Sequence, residues 1–170
     1  MKKVRIKEDY DKTAEFYDSR YREVQYSKFQ EMLANLVLKG KILDLGCGTG
    51  LLGEFLDRKL IGVDVSFGML KSGENREYFV QGDMENLPFN DNTFDIVLSF
   101  SAVMNLADLK KGLLEAKRII KKNGLFIVTL LEKRFTNKFL EDLNELFELQ
   151  EIKKLGEDVG FVCINGLTSD

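Results

Sequence analysis

The chain has 170 residues, 44% of them apolar and 31% charged, with 25 Lys and Arg against 28 Asp and Glu and a formal net charge of −3. Such a chain forms one globular domain around a single substantial core; it is neither disordered nor fibrous, and it carries no basic field of the kind that attracts nucleic acid. Histidine is absent, which removes imidazole acid–base chemistry and most zinc sites, while Cys47 and Cys163 have no metal-ligand spacing and fit a reducing compartment.

Residues 8–21 carry Tyr10, Ala14, Tyr17 and Tyr21 at helical spacing, which predicts a helix with an aromatic face. A second amphipathic helix is expected over 27–38, with Phe29, Leu33 and Leu36 on one side. Strand and helix signals then alternate: a strand at Lys41–Leu45, a short helix at Leu51–Asp57, a strand at Leu60–Val63, a helix at Phe67–Ser72 and a strand at Tyr78–Gln81. The single proline, Pro88, marks a loop before the strongly apolar strand Phe94–Phe100. Leu109, Leu113, Ala116 and Ile120 line one face of a helix whose end is signalled by Lys121, Lys122 and Gly124. A buried strand at Leu125–Leu131, a helix at 136–146 and two strands near 147–154 and 159–165 complete the chain. Continuous apolar strands between helices predict an α/β fold with a doubly wound, mostly parallel sheet. No apolar run reaches the ~18 residues of a membrane span, and the start, MKKVRIKEDY, lacks a signal-peptide core. A cytoplasmic enzyme without membrane contact is expected.

Four features fall at predicted strand ends, where doubly wound sheets bind their ligands. The first is Asp44-Leu45-Gly46-Cys47-Gly48-Thr49-Gly50, a strand end followed by alternate glycines. Glycine allows a sharp turn and close approach of a ligand to the main chain. The carboxylate of Asp44 just before that turn suits an ammonium or hydroxyls and repels a phosphate. A nucleoside with a cationic tail, such as S-adenosylmethionine, has the matching shape. Asp64 ends the second strand, where a carboxylate can accept from both ribose hydroxyls. Gly82-Asp83-Met84-Glu85-Asn86-Leu87-Pro88-Phe89 follows the third strand; Asp83 could accept from an adenine amino group while Met84 packs on the ring. The fourth strand ends at Phe100 and Ser101, in the middle of the expected cleft.

These segments resemble class I S-adenosylmethionine-dependent methyltransferases, in particular the small-enzyme group that includes the ubiquinone/menaquinone-type methyltransferases. The resemblance covers residues 10–131 in the family's order: D-x-G-x-G-x-G at 44–50, the acidic strand end at 64, GDMENLPF at 82–89 and FDIVLSFSAVMNL at 94–106. It implies a Rossmann-like seven-stranded sheet in the order 3-2-1-4-5-7-6 with the last strand antiparallel. It also implies a helical lid at 1–39, a cofactor-binding core at 40–131 and a C-terminal helix and two strands at 132–170. Carried over to these positions, Gly46, Cys47, Gly48 and Gly50 line the methionine part of S-adenosylmethionine, and Asp44 holds its amino end. By the same resemblance Asp64 binds the ribose, Val65 and Met69 lie beside the adenine, Asp83 and Met84 read it, and Phe100 sits beneath the methionine moiety. Tyr10 and Tyr17 are the expected lid contacts.

A nicotinamide-dependent dehydrogenase is the rival on the same fold. Gly48, Gly50 and Gly53 formally match G-x-G-x-x-G, but the match begins three residues past the strand end and follows an acid. A binding protein that keeps the pocket without catalysis is the third reading. Methyl transfer needs collinear alignment in a dry site more than it needs a base. Without histidine a base would be a carboxylate, tyrosine or lysine; Tyr17, Tyr21, Ser101 and Asn105 are near the expected cleft, and none is assigned a catalytic role. The N/D-P-P-Y/F signature of amino-base methylation is replaced by Ser99-Phe100-Ser101-Ala102, so DNA is not the expected substrate. The acceptor is unidentified: a small molecule, or RNA or protein with a small activator chain docked on the edge strand 78–81.

Overall fold

The computed structural model describes residues 2–74 and 76–166; Met1, Asn75 and residues 167–170, the last of these at the end of the expected C-terminal unit, lie outside the described residues. The first element is a single helix, α1 (Lys2–Leu33), where two were expected. The reason is local. The segment Arg22-Glu23-Val24-Gln25-Tyr26-Ser27 contains neither glycine nor proline, so nothing breaks the backbone hydrogen-bond ladder between the two predicted faces. The helix also stops at Leu33 and not at 38; Leu36 and Leu38 pack against the core from the following loop.

The sheet follows as β1 (Ile42–Leu45), β2 (Ile61–Asp64), β3 (Phe79–Gln81), β4 (Phe94–Phe100), β5 (Ile120–Leu131), β6 (Glu148–Leu155) and β7 (Asp158–Ile164). Its order is β3-β2-β1-β4-β5-β7-β6, as expected. Pairings are parallel from β3 across to β5, and β7 runs antiparallel to both β5 and β6. Helices α2 (Leu51–Phe55), α3 (Phe67–Ser72), α4 (Leu109–Ile119) and α5 (Asn137–Leu146) connect the strands.

Two cores sandwich the sheet, because successive strand residues point to opposite faces. Leu43, Val97, Phe126 and Val128 pack on one face with Leu113 and Ile119 of α4 and Phe139 and Leu143 of α5. Ile42, Ile96, Leu98 and Ile127 pack on the other with Phe29 and Met32 of α1 and Leu51 and Leu52 of α2. The middle strands are therefore covered on both faces, which is why their sequences read as continuous apolar runs.

The end of α4 differs from expectation. Ile120 is already extended, and the chain passes from helix to strand without a loop. Lys121, Lys122 and Gly124 lie inside the irregular start of β5, where the register with β4 shifts between Phe94 and Ile96. Asn165 supplies what a terminal glycine would have: its side-chain amide donates to the carbonyls of Lys117 (3.3 Å), Ile120 (2.9 Å) and Lys121 (3.4 Å). No helix among the described residues is long and apolar enough to cross a membrane.

Candidate active site

The glycine turn is built from the end of β1 outward. The N–H groups of Gly46 and Cys47 donate to the carbonyl of Val63 at 2.8 and 3.1 Å, fastening the turn to β2. Gly46, Gly48 and Gly50 have φ of 84°, 55° and 89°, a region costly for any residue with a Cβ. At Gly46 space is short as well: a Cβ there would lie 2.4 Å from the Cβ of Ala102 and 2.6 Å from the Cε of Met84.

A cavity opens at the carboxyl ends of β1, β2 and β4. Gly46, Gly48, Asp64, Val65 and Met69 form one wall, and Asp83, Met84 and Phe100 another. Tyr10 and Tyr17 of α1 close it from above, and Ser101, Ala102, Asn105 and Leu106 complete the lining. A smaller cavity of about 40 Å³ shares Tyr17, Gly46, Gly48 and Phe100 with it and is walled by Asp44, Cys47, Thr49, Gln25 and Phe29. Of the residues expected to bind the cofactor, Gly50 alone lines neither space, and Tyr21, expected near the cleft, also lies outside both. Gly50 starts α2 in a left-handed conformation, with the Phe79 ring where its side chain would be.

Asp64 has a structural duty besides facing the cavity. Its two oxygens accept from the N–H groups of Gly48 (3.0 Å) and Ser66 (2.8 Å), so the carboxylate ties the glycine turn to the start of α3. Burial raises its pKa, opposed by those backbone bonds. Each oxygen keeps lone-pair capacity for a ligand hydroxyl. Asp44 is different: it is buried on the small cavity, and among the described residues neither a hydrogen bond nor a cation stabilises its charge. Burial, then the neighbouring Asp64 charge, pushes its pKa up to about 8. Gln25 Oε1, also on the small cavity, is buried without a partner. The Asp44 carboxyl and the unsatisfied Gln25 Oε1 thus line one small cavity beside the glycine turn, and a buried acceptor without a donor is costly until one arrives. An ammonium with three N–H groups answers that need. Burial holds the Cys47 thiol well above its ordinary pKa, as befits an inert space-filler.

The Asp83 loop is anchored from behind. Asp83 accepts from the N–H of Glu85 at 2.9 Å, and the buried Glu85 carboxylate accepts from the N–H groups of Ala107 and Asp108 at 2.9 and 3.1 Å. Arg118 of α4 donates to the carbonyls of Phe89 (2.7 Å) and Leu87 (3.1 Å) while pairing with Glu115 and Asp91.

Helix α1 is pinned over the cavity at several points. The Asp18 carboxylate accepts from Thr49 of the glycine turn, and Arg22 and Tyr26 bind Glu54 of α2. Tyr10 accepts from the Asn105 side chain at 3.2 Å, and burial raises the pKa of both Tyr10 and Tyr17. Phe29 packs edge-on against Phe100, centroids 4.7 Å apart. At the far side of the cleft Lys28, Ser101 and Asp158 meet. Sequence reasoning missed Gln25, Lys28 and Asp158. None sits in a local motif, and only the packing of α1 and the β6–β7 turn onto the sheet brings them to the cleft.

A family model described as "Methyltransferase domain" matches residues 43–128. An uncharacterized protein of Methanocaldococcus jannaschii is 36% identical over 133 residues, covering 75% of this chain and 52% of that protein. Demethylmenaquinone methyltransferase of Thermotoga maritima is 35% identical over 147 residues, covering 76% of this chain and 64% of its own. The chain thus spans about half to two thirds of the length of these relatives. Among solved structures, one from the Haloferax volcanii complex with the Trm112 methyltransferase activator superimposes with a TM-score of 0.79 at 20% identity, covering 93% of this chain and 98% of that one; this likeness concerns the fold alone.

Proposed function

The chain belongs to the methyltransferase-domain family, and we propose that it transfers a methyl group from S-adenosylmethionine to a small-molecule acceptor by in-line displacement. One observation carries the reading: the buried Asp44 carboxyl and the partnerless Gln25 Oε1 line one small cavity beside a left-handed glycine turn. These groups fit an amino-acid ammonium, and they do not fit a pyrophosphate. In this proposal Asp44, Gly46 and Gly48 hold the methionine end, with Cys47 and Phe100 packed beside it. Asp64 accepts from the ribose, and Val65, Met69, Asp83 and Met84 bind the adenine. Tyr10 and Tyr17 cover the site and exclude water. When bound, the sulfonium supplies an electrophilic methyl group. The chain's own contribution is alignment and desolvation, which together can lower such a barrier by several kcal/mol. We place the protein in the cytoplasm on its two unpaired, buried cysteines.

A second reading, an RNA or protein acceptor with a small activator chain, has one feature in its favour. The edge strand β3 pairs only with β2, and Tyr78 beside it is partly exposed. The Haloferax volcanii methyltransferase of like fold is solved with such an activator. Calorimetry with S-adenosylmethionine and S-adenosylhomocysteine tests the cofactor reading; no binding by the wild type, or equal binding by Asp64→Ala, overturns it. Labelled-methyl transfer into metabolite, RNA and protein fractions of the host then separates the two acceptors.

A further inference from the structure

Where β4 ends, Ser101 has a φ of 54°, left-handed for a residue with a side chain. Such strain persists only where surrounding bonds over-determine it, and it gathers at functional sites. Here the bonds are plain. The Ser101 N–H donates to the Thr129 carbonyl and to Thr129 Oγ1, both at 3.0 Å. Lys28 Nζ donates to Ser101 Oγ at 2.6 Å, and Ser101 Oγ donates to Asp158 Oδ2 at 2.6 Å. Lys28 and Asp158 form an ion pair at 2.8 Å with side chains 7% and 3% exposed. A lysine and an aspartate taken this far out of water cost several kcal/mol of solvation, which a plain apolar contact would avoid.

The position of this cluster is the second observation. Besides the cofactor cavity there is an open groove of about 1120 Å³ between α1, the segment after β4 and the β6–β7 turn. Ser101, with Tyr10 and Tyr17, lines both spaces, and Lys28 and Asp158 line the groove only. Apolar and aromatic side chains, Phe16, Tyr21, Val24, Met104, Leu131 and Leu155, share the groove walls with charged ones that include Lys12, Arg20, Glu23, Glu31 and Glu157. Phe16 and Val24 are 68% and 61% exposed, unusual for side chains of that size on a helix whose other face is buried.

Hydrogen-bond capacity defines what fits at the junction. Ser101 Oγ has used its proton on Asp158 and one lone pair on Lys28, so it can accept one further bond. Lys28 has placed two of its three ammonium protons, and no other partner of its Nζ is found among the described residues. One acceptor and one donor therefore stand side by side, the complement of a hydroxyl group.

We propose that Ser101, held between Lys28 and Asp158, is a positioning residue for the methyl acceptor, and that the acceptor is a small molecule with an aromatic or apolar body carrying a hydroxyl. The hydroxyl donates to Ser101 and accepts from Lys28, while the body lies along Phe16, Tyr21 and Val24. The inference rests on the methyltransferase reading and narrows its substrate class.

The test is a calorimetric titration of 2-naphthol and of 2-methylnaphthalene, with and without saturating S-adenosylhomocysteine. Wild type binds 2-naphthol about tenfold more tightly, the worth of one well-made hydrogen-bond pair. In Ser101→Gly, which suits the left-handed backbone, the ratio falls to about one. The double variant Lys28→Met/Asp158→Leu removes both charges together, so no lone buried ion is left to unfold the protein, and the ratio falls there too. Equal affinity for the two probes in wild type, binding of neither, or a tenfold ratio kept in both variants overturns the proposal. S-adenosylhomocysteine binding is read in the same titrations: if it binds and 2-naphthol is not preferred, only this inference falls. If it does not bind, the cofactor reading falls first.

Discussion

The carboxylate of Asp11 on α1 accepts from the hydroxyl of Ser66 at 2.5 Å and from the N–H of Gly68 at 2.8 Å, so α1 caps the first turn of α3. Ser66 in turn accepts from the Met69 N–H at 3.2 Å, and Met69 lines the cavity beneath Tyr10 and Tyr17. The seating of α1 and the shape of the cavity are thus linked through one acid. The Ser66 hydrogen bond, followed by that from Gly68, holds the half-buried Asp11 carboxyl below its ordinary pKa.

Replacing Asp11 by alanine removes the latch and leaves the fold intact, since no core residue changes. Hydrogen bonds to a charged group contribute roughly 1.5–3 kcal/mol in favourable cases; allowing for solvent screening at this half-buried site, S-adenosylhomocysteine affinity falls about fivefold. Amide exchange in residues 8–20 accelerates in the variant, and bound ligand restores part of the protection. Unchanged affinity with unchanged exchange shows that the lid is held elsewhere.

Asp44 couples the site to pH. Its pKa is about 8 in the folded protein and about 3.9 when unfolded. The buried neutral form favours folding fully below about pH 4. As pH rises from there toward 8 the unfolded chain ionises while the folded one resists, and stability is lost; above 8 the loss is complete and constant. Asp44→Asn lacks this dependence. Its thermal midpoint exceeds that of wild type by an amount that grows from pH 4 to pH 8 and then levels. The same variant binds S-adenosylmethionine at least tenfold more weakly, because the ammonium loses its counter-charge. Binding to wild type near pH 7 releases protons, seen as a dependence of the heat on buffer ionisation enthalpy, and the variant releases none. A wild type whose heat is the same in every buffer contradicts this account.

The alternation of strands and helices is legible in the sequence because each buried strand is a short apolar run bounded by turn residues. That Asp64 and Asp83 follow strand ends is legible for the same reason. What is not legible is longer in range. Residues 22–27 carry no breaker, so two amphipathic faces merge into one helix, a continuity that face-by-face reading divides. The helix stop at Ile119 depends on Asn165, far along the chain, and no local pattern announces it. Lys28 reads as one more charged residue on a helix, and Asp158 as a turn residue. Their pairing is a product of topology, as β7 lies beside β5 and carries Asp158 to the end of β4.

Arg118 fastens the loop after β3, proposed to bind the adenine, to α4, although it lies outside the cavity. It is partly exposed, so its ion pairs with Glu115 and Asp91 are screened and worth little alone. Its bonds to the carbonyls of Leu87 and Phe89 matter more, since those groups have few alternatives. Arg118→Met lowers unfolding free energy by about 1–2 kcal/mol. It also weakens S-adenosylhomocysteine several-fold, and adenosine by the same factor. If methionine affinity drops while adenosine affinity holds, the loop does not serve the adenine end.

Two glycines separate strain from space. Gly46 and Gly156 both have positive φ, 84° and 61°, but a Cβ at Gly156 meets nothing within 4 Å, whereas one at Gly46 collides with Ala102 and Met84. Gly156→Ala therefore costs only the left-handed penalty, about 1–2 kcal/mol, and leaves cofactor affinity as it was. Gly46→Ala incurs that penalty and must also push Met84 or Ala102 aside. Both of those residues line the cavity, so relief of the clash narrows the space the cofactor needs. The expected result is a further loss of about 1–3 kcal/mol in stability and loss of S-adenosylmethionine binding beyond the reach of calorimetry. A Gly46→Ala protein that binds with wild-type affinity means that the turn does not contact the ligand, since the added methyl group can be accommodated only by displacing the residues proposed to hold it.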